Sequence, residues 1–355
     1  MRRITHRCWK AVALTALTLA FLPSAAPADQ PGKSPVKVFV MAGQSNMEGQ
    51  GLVEFSDLRT EDYRRRGLSE EAIAEKHKGV LDYVVRSAAE TERFRHVVDK
   101  DGRWVVRDDV WVYYLRGRGE LKKGKLSVGF GANDERIGPE FQFGHAIGDA
   151  LDNQVLLIKT AWGGKSLAVD FRPPSAGQPD FAMPTRPDRP APEIGKYYRD
   201  MIAEVRGVLK DLKTHFPEYD GQGYEIAGFV WFQGWNDGCN QDFSEEYEKN
   251  MPLLIRDVRR DLGVEDLPFV IANSGFGGRQ PQGGVVGRLQ QLVQPAQAAA
   301  AKTVEGVICI DTRDFYRPEA VSPGRGDIEH WYCNAETYFL IGDALGQAMK
   351  RLCAE

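Results

Sequence analysis

The chain has 355 residues, of which 42% are hydrophobic and 27% charged. That is enough apolar content for a full core, without the charge bias of a disordered or polybasic protein. The formal net charge of -4 offers no basic footprint for nucleic acid or an anionic membrane, so neither is expected as a partner, and a small or neutral ligand is.

Residues 1–10 are basic, residues 11–22 form an apolar run too short to span a bilayer comfortably, and Ala26-Pro27-Ala28 places small residues where a signal peptidase reads. Residues 1–28 read as a signal peptide, with a mature chain starting near Asp29 that is secreted or periplasmic and no longer tied to the membrane. An uncleaved anchor is the competing reading, and Arg2-Arg3 hints at twin-arginine export.

Val38-Phe39-Val40-Met41-Ala42 then reads as an interior strand that breaks at Gly43-Gln44-Ser45. In open α/β sheets the reactive groups lie beyond the carboxyl ends of the strands, which makes Ser45 a candidate nucleophile. The plainer reading is a strand-to-helix turn with Ser45 or Asn46 as N-cap. Residues 52–100 are charged and mostly helical in pattern, and Glu61-Asp62-Tyr63-Arg64-Arg65-Arg66 reads as a solvated surface. Residues 104–115 are strand-like, with Val110, Trp111, Val112, Tyr113 and Tyr114. Together, residues 52–136 read as an insertion, a hairpin and cover over the site, whose aromatics either line a sugar groove or pack in the core.

From Gly138 onward, short apolar strands alternate with amphipathic helices. Pro139-Glu140-Phe141 opens a helix carrying Phe141, Ala146, Ile147 and Leu151, followed by a strand at 155–158. After a Pro-rich loop at 171–192 come a helix with Tyr198, Met201, Val205, Val208 and Leu212, a strand at 226–232, and a helix capped by Ser244. Strands at 269–272 and 307–311 flank a helix over 289–301, and Tyr338, Ile341, Leu345, Ala348 and Leu352 mark a closing helix. The alternation predicts a three-layer α/β/α domain over 29–355, built on about five parallel strands.

A serine hydroxyl needs an imidazole to take its proton and a carboxylate to orient that imidazole. Of the six histidines, His330 stands out, in the loop Asp327-Ile328-Glu329-His330 before the closing helix. Gly163 and Gly164, after the second alternating strand, offer bare backbone N–H groups to an oxyanion, and Gln233 and Asn236, after the third, offer side-chain amides. Each of these also has a bland reading as turn residues. Once Cys8 leaves with the signal, Cys239, Cys309, Cys333 and Cys353 remain. A Cys239–Cys333 bridge would tie two of these loops together, while Cys309 reads as a buried thiol.

The blocks Gly43-Gln44-Ser45-Asn46-Met47, Gly138-Pro139-Glu140-Phe141, Trp162-Gly163-Gly164-Lys165-Ser166-Leu167, Trp231-Phe232-Gln233-Gly234 and the segment 327–330 resemble the SGNH hydrolases, specifically their sialate O-acetylesterase and carbohydrate esterase family 6 members. The resemblance implies a flavodoxin-like fold, a triad of Ser45, His330 and Asp327, and no metal or organic cofactor. It also implies an oxyanion hole from the Ser45 backbone, a Gly163 or Gly164 N–H and a side-chain amide. Esterase 6 relatives usually carry Glu after the Gln-Gly pair, where this chain has Trp235. Gly234-Trp235-Asn236-Asp237 is similar instead to the Gly-x-Asn-Asp block of the wider superfamily, which leaves the amide open between Gln233 and Asn236. The expected activity is hydrolysis of O-acetyl esters on carbohydrate, with an acetylated glycan as partner. The alternative is a non-catalytic carbohydrate-binding protein on the same fold. A phosphate cradle at Ser45 lacks the Gly-rich spacing and Lys of a nucleotide loop.

Overall fold

The computed structural model describes residues 34–87, 92–117, 119–183 and 191–354, so the predicted signal segment lies outside the described residues. Nine strands occur among them: β1 (Val36–Gly43), β2 (Gly51–Leu52), β3 (Arg107–Leu115), β4 (Leu121–Leu126), β5 (Arg136–Ile137), β6 (Val155–Ala161), β7 (Tyr224–Phe232), β8 (Phe269–Ala272) and β9 (Val307–Ile310). Seven form the central sheet in the order β4-β3-β6-β1-β7-β8-β9, while β2 and β5 make a separate two-stranded ladder. All neighbours in the central sheet are parallel except β4, which runs antiparallel to β3 at the edge.

Beyond Lys37 β1 is apolar because it lies in the middle of the sheet with helices on both faces, the burial expected of a parallel sheet. The two faces can be read from β7. A Cβ on Gly228 would meet Met349 of the closing helix (Ala335–Ala354). Trp231, three residues on and so on the opposite face, donates its indole N–H to Tyr247 of the helix Gln241–Leu262. The three-layer α/β/α architecture agrees with the sequence reading.

The strand count differs from the expected five. The 52–136 stretch returns two strands to the sheet, so β3 and β4 extend its edge rather than cover a site. Trp111, Tyr113 and Tyr114 are buried, and Trp111 stacks on Phe216 with centroids 4.9 Å apart, so these aromatics pack in the core, with Tyr114 also lining a cavity it shares with Glu48 and Gly163. The helix expected to start at Ser244 begins a turn earlier, where the Asn240 side chain accepts the Phe243 N–H at 3.3 Å. Ser244 lies inside that helix and donates to the carbonyls of Asp237 and Asn240.

The alignment of β1 with its two neighbours positions the loops. Gly43 pairs with Ala161 of β6 and with Phe232 of β7, so three strands end level at one rim. Gln44-Ser45, Trp162-Gly163 and Gln233-Gly234 therefore emerge side by side, next to the point where the chain reverses its strand order about β1.

Candidate active site

A side chain at Gly43 is excluded because its Cβ would lie 2.1 Å from the Phe232 carbonyl oxygen. The backbone turns there into a single helical turn, Ser45–Glu48. The Gln44 side-chain oxygen accepts from the Gln233 amide at 3.3 Å and from the Gly234 and Asn236 N–H groups at 3.2 Å each, which staples the end of β1 to the end of β7. Neither Ser45 nor Asn46 acts as the N-cap of the simpler reading. Ser45 Oγ lies 3.1 Å from His330 Nε2. Asn46 donates its side-chain amide to the Glu329 carbonyl at 2.8 Å and accepts the Tyr338 hydroxyl at 2.5 Å. Asn46 and Tyr338 thus fasten the histidine loop to the serine turn. Nothing in the sequence pattern signals this task for either residue.

The histidine loop has an uncommon backbone. Trp331, Tyr332 and Cys333 have φ of 52, 51 and 58°, three consecutive side chains in the left-handed region, each at a cost of about 1–3 kcal/mol. The surroundings that enforce it are identifiable. Trp331 is fully buried against Phe276, with centroids 4.6 Å apart, and Asp327 O accepts the N–H groups of His330 and Tyr332 at 3.1 and 3.0 Å. Asp327 Oδ1 stands 3.8 Å from His330 Nδ1, an electrostatic contact longer than a hydrogen bond. Its other oxygen accepts the Cys333 thiol at 3.2 Å. Burial lowers the His330 pKa from its ordinary value, partly offset by the Asp327 charge, and burial raises that of Asp327. Burial first, and then the Asp327 carboxylate, push the Cys333 thiol up to about 12, so it stays a protonated donor.

The bridge expected between Cys239 and Cys333 is absent, and both are free thiols. Cys333 is turned inward onto Asp327, whereas Cys239 is exposed just after the short helix Trp235–Gly238. Cys309 is half-buried and Cys353 exposed, both also free.

The candidate oxyanion donors differ in what already engages them. Gly163 lies beside Ser45, and a Cβ added to it would be 3.8 Å from that of Ser45, but its N–H donates to Glu48 Oε1 at 3.0 Å. Gly164 takes a left-handed φ of +68° in open space. The Gln233 amide is fully committed, to Gln44, to the Lys165 carbonyl at 2.9 Å and to Asp237. The Asn236 side chain makes no hydrogen bond with any described residue.

Three buried ionisable side chains hold this arrangement, Asp237 and the pair Lys159 and Glu140, and none was given this role from the sequence. Asp237 accepts from the backbone N–H groups of Leu167 and Ala168 at 2.9 Å each and from Gln233, joining the glycine loop to the Asn236 turn. Burial pushes its carboxyl up to about 7 against the pull of those donors. Lys159, inside β6, places its ammonium against Glu140 at 2.9 Å and the carbonyls of Glu48 at 3.0 Å and Phe130 at 2.7 Å, one acceptor for each of its three protons. The signal for this pair was a lysine within an otherwise apolar strand, which is paired when fully buried. Among the described residues no group of three or more His, Cys, Asp and Glu side chains could hold a metal ion.

Comparison with known proteins identifies the family. The family model described as carbohydrate esterase, sialic acid-specific acetylesterase matches residues 35–349. A probable carbohydrate esterase of Arabidopsis thaliana is 26% identical over 126 residues, 36% of this chain and 41% of that relative, so the match spans about two fifths of the relative's length. A crystal structure of an Arabidopsis thaliana protein superposes with a TM-score of 0.51 at 18% identity, covering 89% of this chain and 98% of that one. A carbohydrate acetylesterase from Xanthomonas citri gives 0.49 at 14% identity, over 90% and 56% of the two chains. At such identities the structural likeness concerns the fold alone, but the family match runs over most of the sequence, and the chain belongs to the carbohydrate esterase family of the sialic acid-specific acetylesterase type.

Proposed function

We propose that this protein is a serine esterase that removes O-acetyl groups from carbohydrate through an acyl-enzyme. The observation that carries the reading is the 3.1 Å approach of His330 Nε2 to Ser45 Oγ, two residues 285 positions apart in sequence. Ser45 Oγ attacks the acetyl carbonyl while His330 Nε2 takes its proton. The negative charge that forms on the carbonyl oxygen is met by the Ser45 N–H, by Asn236 and by the glycine loop. Of the two amides left open by the sequence, Asn236 is favoured because Gln233 has no donor to spare. In the glycine loop Gly163 is the residue that lies beside Ser45, and its N–H serves once Glu48 releases it.

The C–O bond to the sugar then breaks, and the departing oxygen takes the proton from His330. Water, deprotonated by the same imidazole, attacks the acetyl-serine and frees acetate and Ser45. Asp327 steadies the imidazolium, and closing its 3.8 Å separation by about 1 Å would complete a hydrogen bond, a tightening common when substrate binds.

Replacing Ser45 by Ala is expected to lower kcat on an acetyl ester by roughly three to six orders of magnitude. A serine-directed phosphonate is expected to add its mass to Ser45 in the parent protein alone. Wild-type turnover in the Ser45→Ala variant would overturn the mechanism, and absence of labelling in the parent would favour a non-catalytic carbohydrate-binding protein. Acetate release from a panel of O-acetylated sialic acids and xylans identifies the glycan. Export belongs to the same proposal: protein recovered from a secreting host is expected to begin near Asp29, and an intact amino end would remove that part.

A further inference from the structure

Behind the Asp327 side of the site lies a cavity of about 460 Å³ whose wall carries Arg59, Arg66, Arg136 and Arg325 against the carboxylates of Asp62 and Asp327. Arg66 pairs with Asp62 at 2.6 Å, and Asp327 is turned toward Cys333 and His330. The remaining guanidinium groups are poorly neutralised. Arg59 meets only neutral groups, the Pro323 carbonyl at 3.4 Å, the Tyr63 hydroxyl and the Phe55 ring; Arg136 donates to the neutral Gln50 side chain and to Cys333 Sγ, with Asp327 as its acidic neighbour; and Arg325 makes no hydrogen bond or ion pair with any described residue. Behind the wall, Lys76 occupies the carbonyls of Glu319, Ser322 and Gly324 with its own ammonium, so these oxygens already serve another cation.

Guanidinium groups gathered about one concavity repel each other unless an anion enters, and their planar N–H forks match the oxygens of carboxylate, sulfate or phosphate. We propose that this cavity is an oxyanion-binding site, filled either by a free inorganic anion or by the acidic group of a saccharide. The second source is within reach. Arg136 also lines a neighbouring cavity of about 550 Å³ that includes Glu48 and Gly163, next to Ser45. The site is argued from the cavity and its charges alone and stands whether or not Ser45 is a nucleophile.

The test is equilibrium binding to the whole protein. Calorimetric titration with sodium sulfate, at ionic strength held constant with sodium chloride, is expected to give saturable one-site binding. The Arg325→Gln variant, which removes an exposed and unpaired side chain, is expected to weaken it about tenfold or more, and Arg66→Gln gives an independent second reading. Arg103→Gln, at a surface ion pair with Asp99 and Asp101, is expected to bind as the parent does. Competition with a glucuronate-bearing oligosaccharide separates the sources. Displacement of sulfate by the acidic oligosaccharide but not its neutral counterpart assigns the site to a saccharide, and no displacement assigns it to a free anion. Absence of saturable sulfate binding by the parent, or undiminished binding by both Arg325→Gln and Arg66→Gln, overturns the proposal.

Discussion

At the scale of single residues, the side chain to follow is His330. In the role of general base proposed for it His330 must be neutral, and burial lowers its pKa below the ordinary 6.5, so the acid limb of kcat/KM is expected to have its midpoint below that value. Asp327 acts in the opposite direction, its charge favouring the imidazolium. Asp327→Asn is therefore expected to move the midpoint lower still while reducing kcat, and a pH–rate profile of the variant reads both effects. Cys333→Ala removes the thiol that holds one Asp327 oxygen, whereas Cys333→Ser restores a donor. Activity lost in the first and largely regained in the second would mark Cys333 as a positioning residue, and equal loss in both would reject that role. Ser45 was singled out because it stands where the apolar run of β1 breaks, and Asp327 and His330 because they share the loop before the closing helix; the structure brings Ser45 and His330 within 3.1 Å. The choice between Gln233 and Asn236 was not legible. It turns on Gln44 and Lys165, far away in sequence, which absorb the donors of Gln233.

At the scale of elements, the Lys159–Glu140 pair links β6 to the helix Glu140–Gly148 beneath the serine turn. Both side chains are fully buried, so removing one partner leaves an uncompensated charge. Lys159→Met is expected to cost about 3–5 kcal/mol, measurable by urea unfolding, and the double change Lys159→Met with Glu140→Leu is expected to recover much of it. The sequence pattern predicted the helix and β6 but not the ion pair, because a salt bridge across two elements has no periodicity. The same limit explains the cap of the helix Gln241–Leu262. Ser244 has the right chemistry for an N-cap, yet Asn240 stands at the position where the chain enters the helix, and tertiary contacts to Asp237 draw the Ser244 hydroxyl inward.

At the scale of the whole molecule, the alternating order of strands and helices was enough to predict a parallel sheet with a helical layer on each side. The number of strands was not. β3 and β4 follow a long charged helical stretch that masks their place in the alternation, and only the pairing of Val110 with Val155 through Tyr114 with Lys159 reveals it. Beside β3, on the helix Lys196–Lys210, burial pushes the Glu204 carboxyl up to about 8, and its Oε1 is buried without a hydrogen-bond partner. A raised carboxyl pKa in the folded state means that the native protein holds a proton that the unfolded chain releases near 4.5. Its contribution to stability is therefore complete below that value and lost as pH rises through about 8. The melting temperature is expected to fall between pH 7 and 8.5 in the parent and to fall less in Glu204→Gln, as differential scanning calorimetry would show.

The common level at which β1, β6 and β7 finish makes the site tolerant of some lesions and intolerant of others. One extra residue within β1, anywhere between Val38 and Ala42, would push Ser45 outward by about 3.3 Å and swing it to the reverse side of the sheet, beyond recovery by side-chain motion. An insertion of the same size at the exposed Gly67 turn, between the helices Asp57–Arg65 and Glu70–His77, displaces no strand end. The protein is thus expected to withstand lengthening of its peripheral connections far better than a frame slip in its central strand.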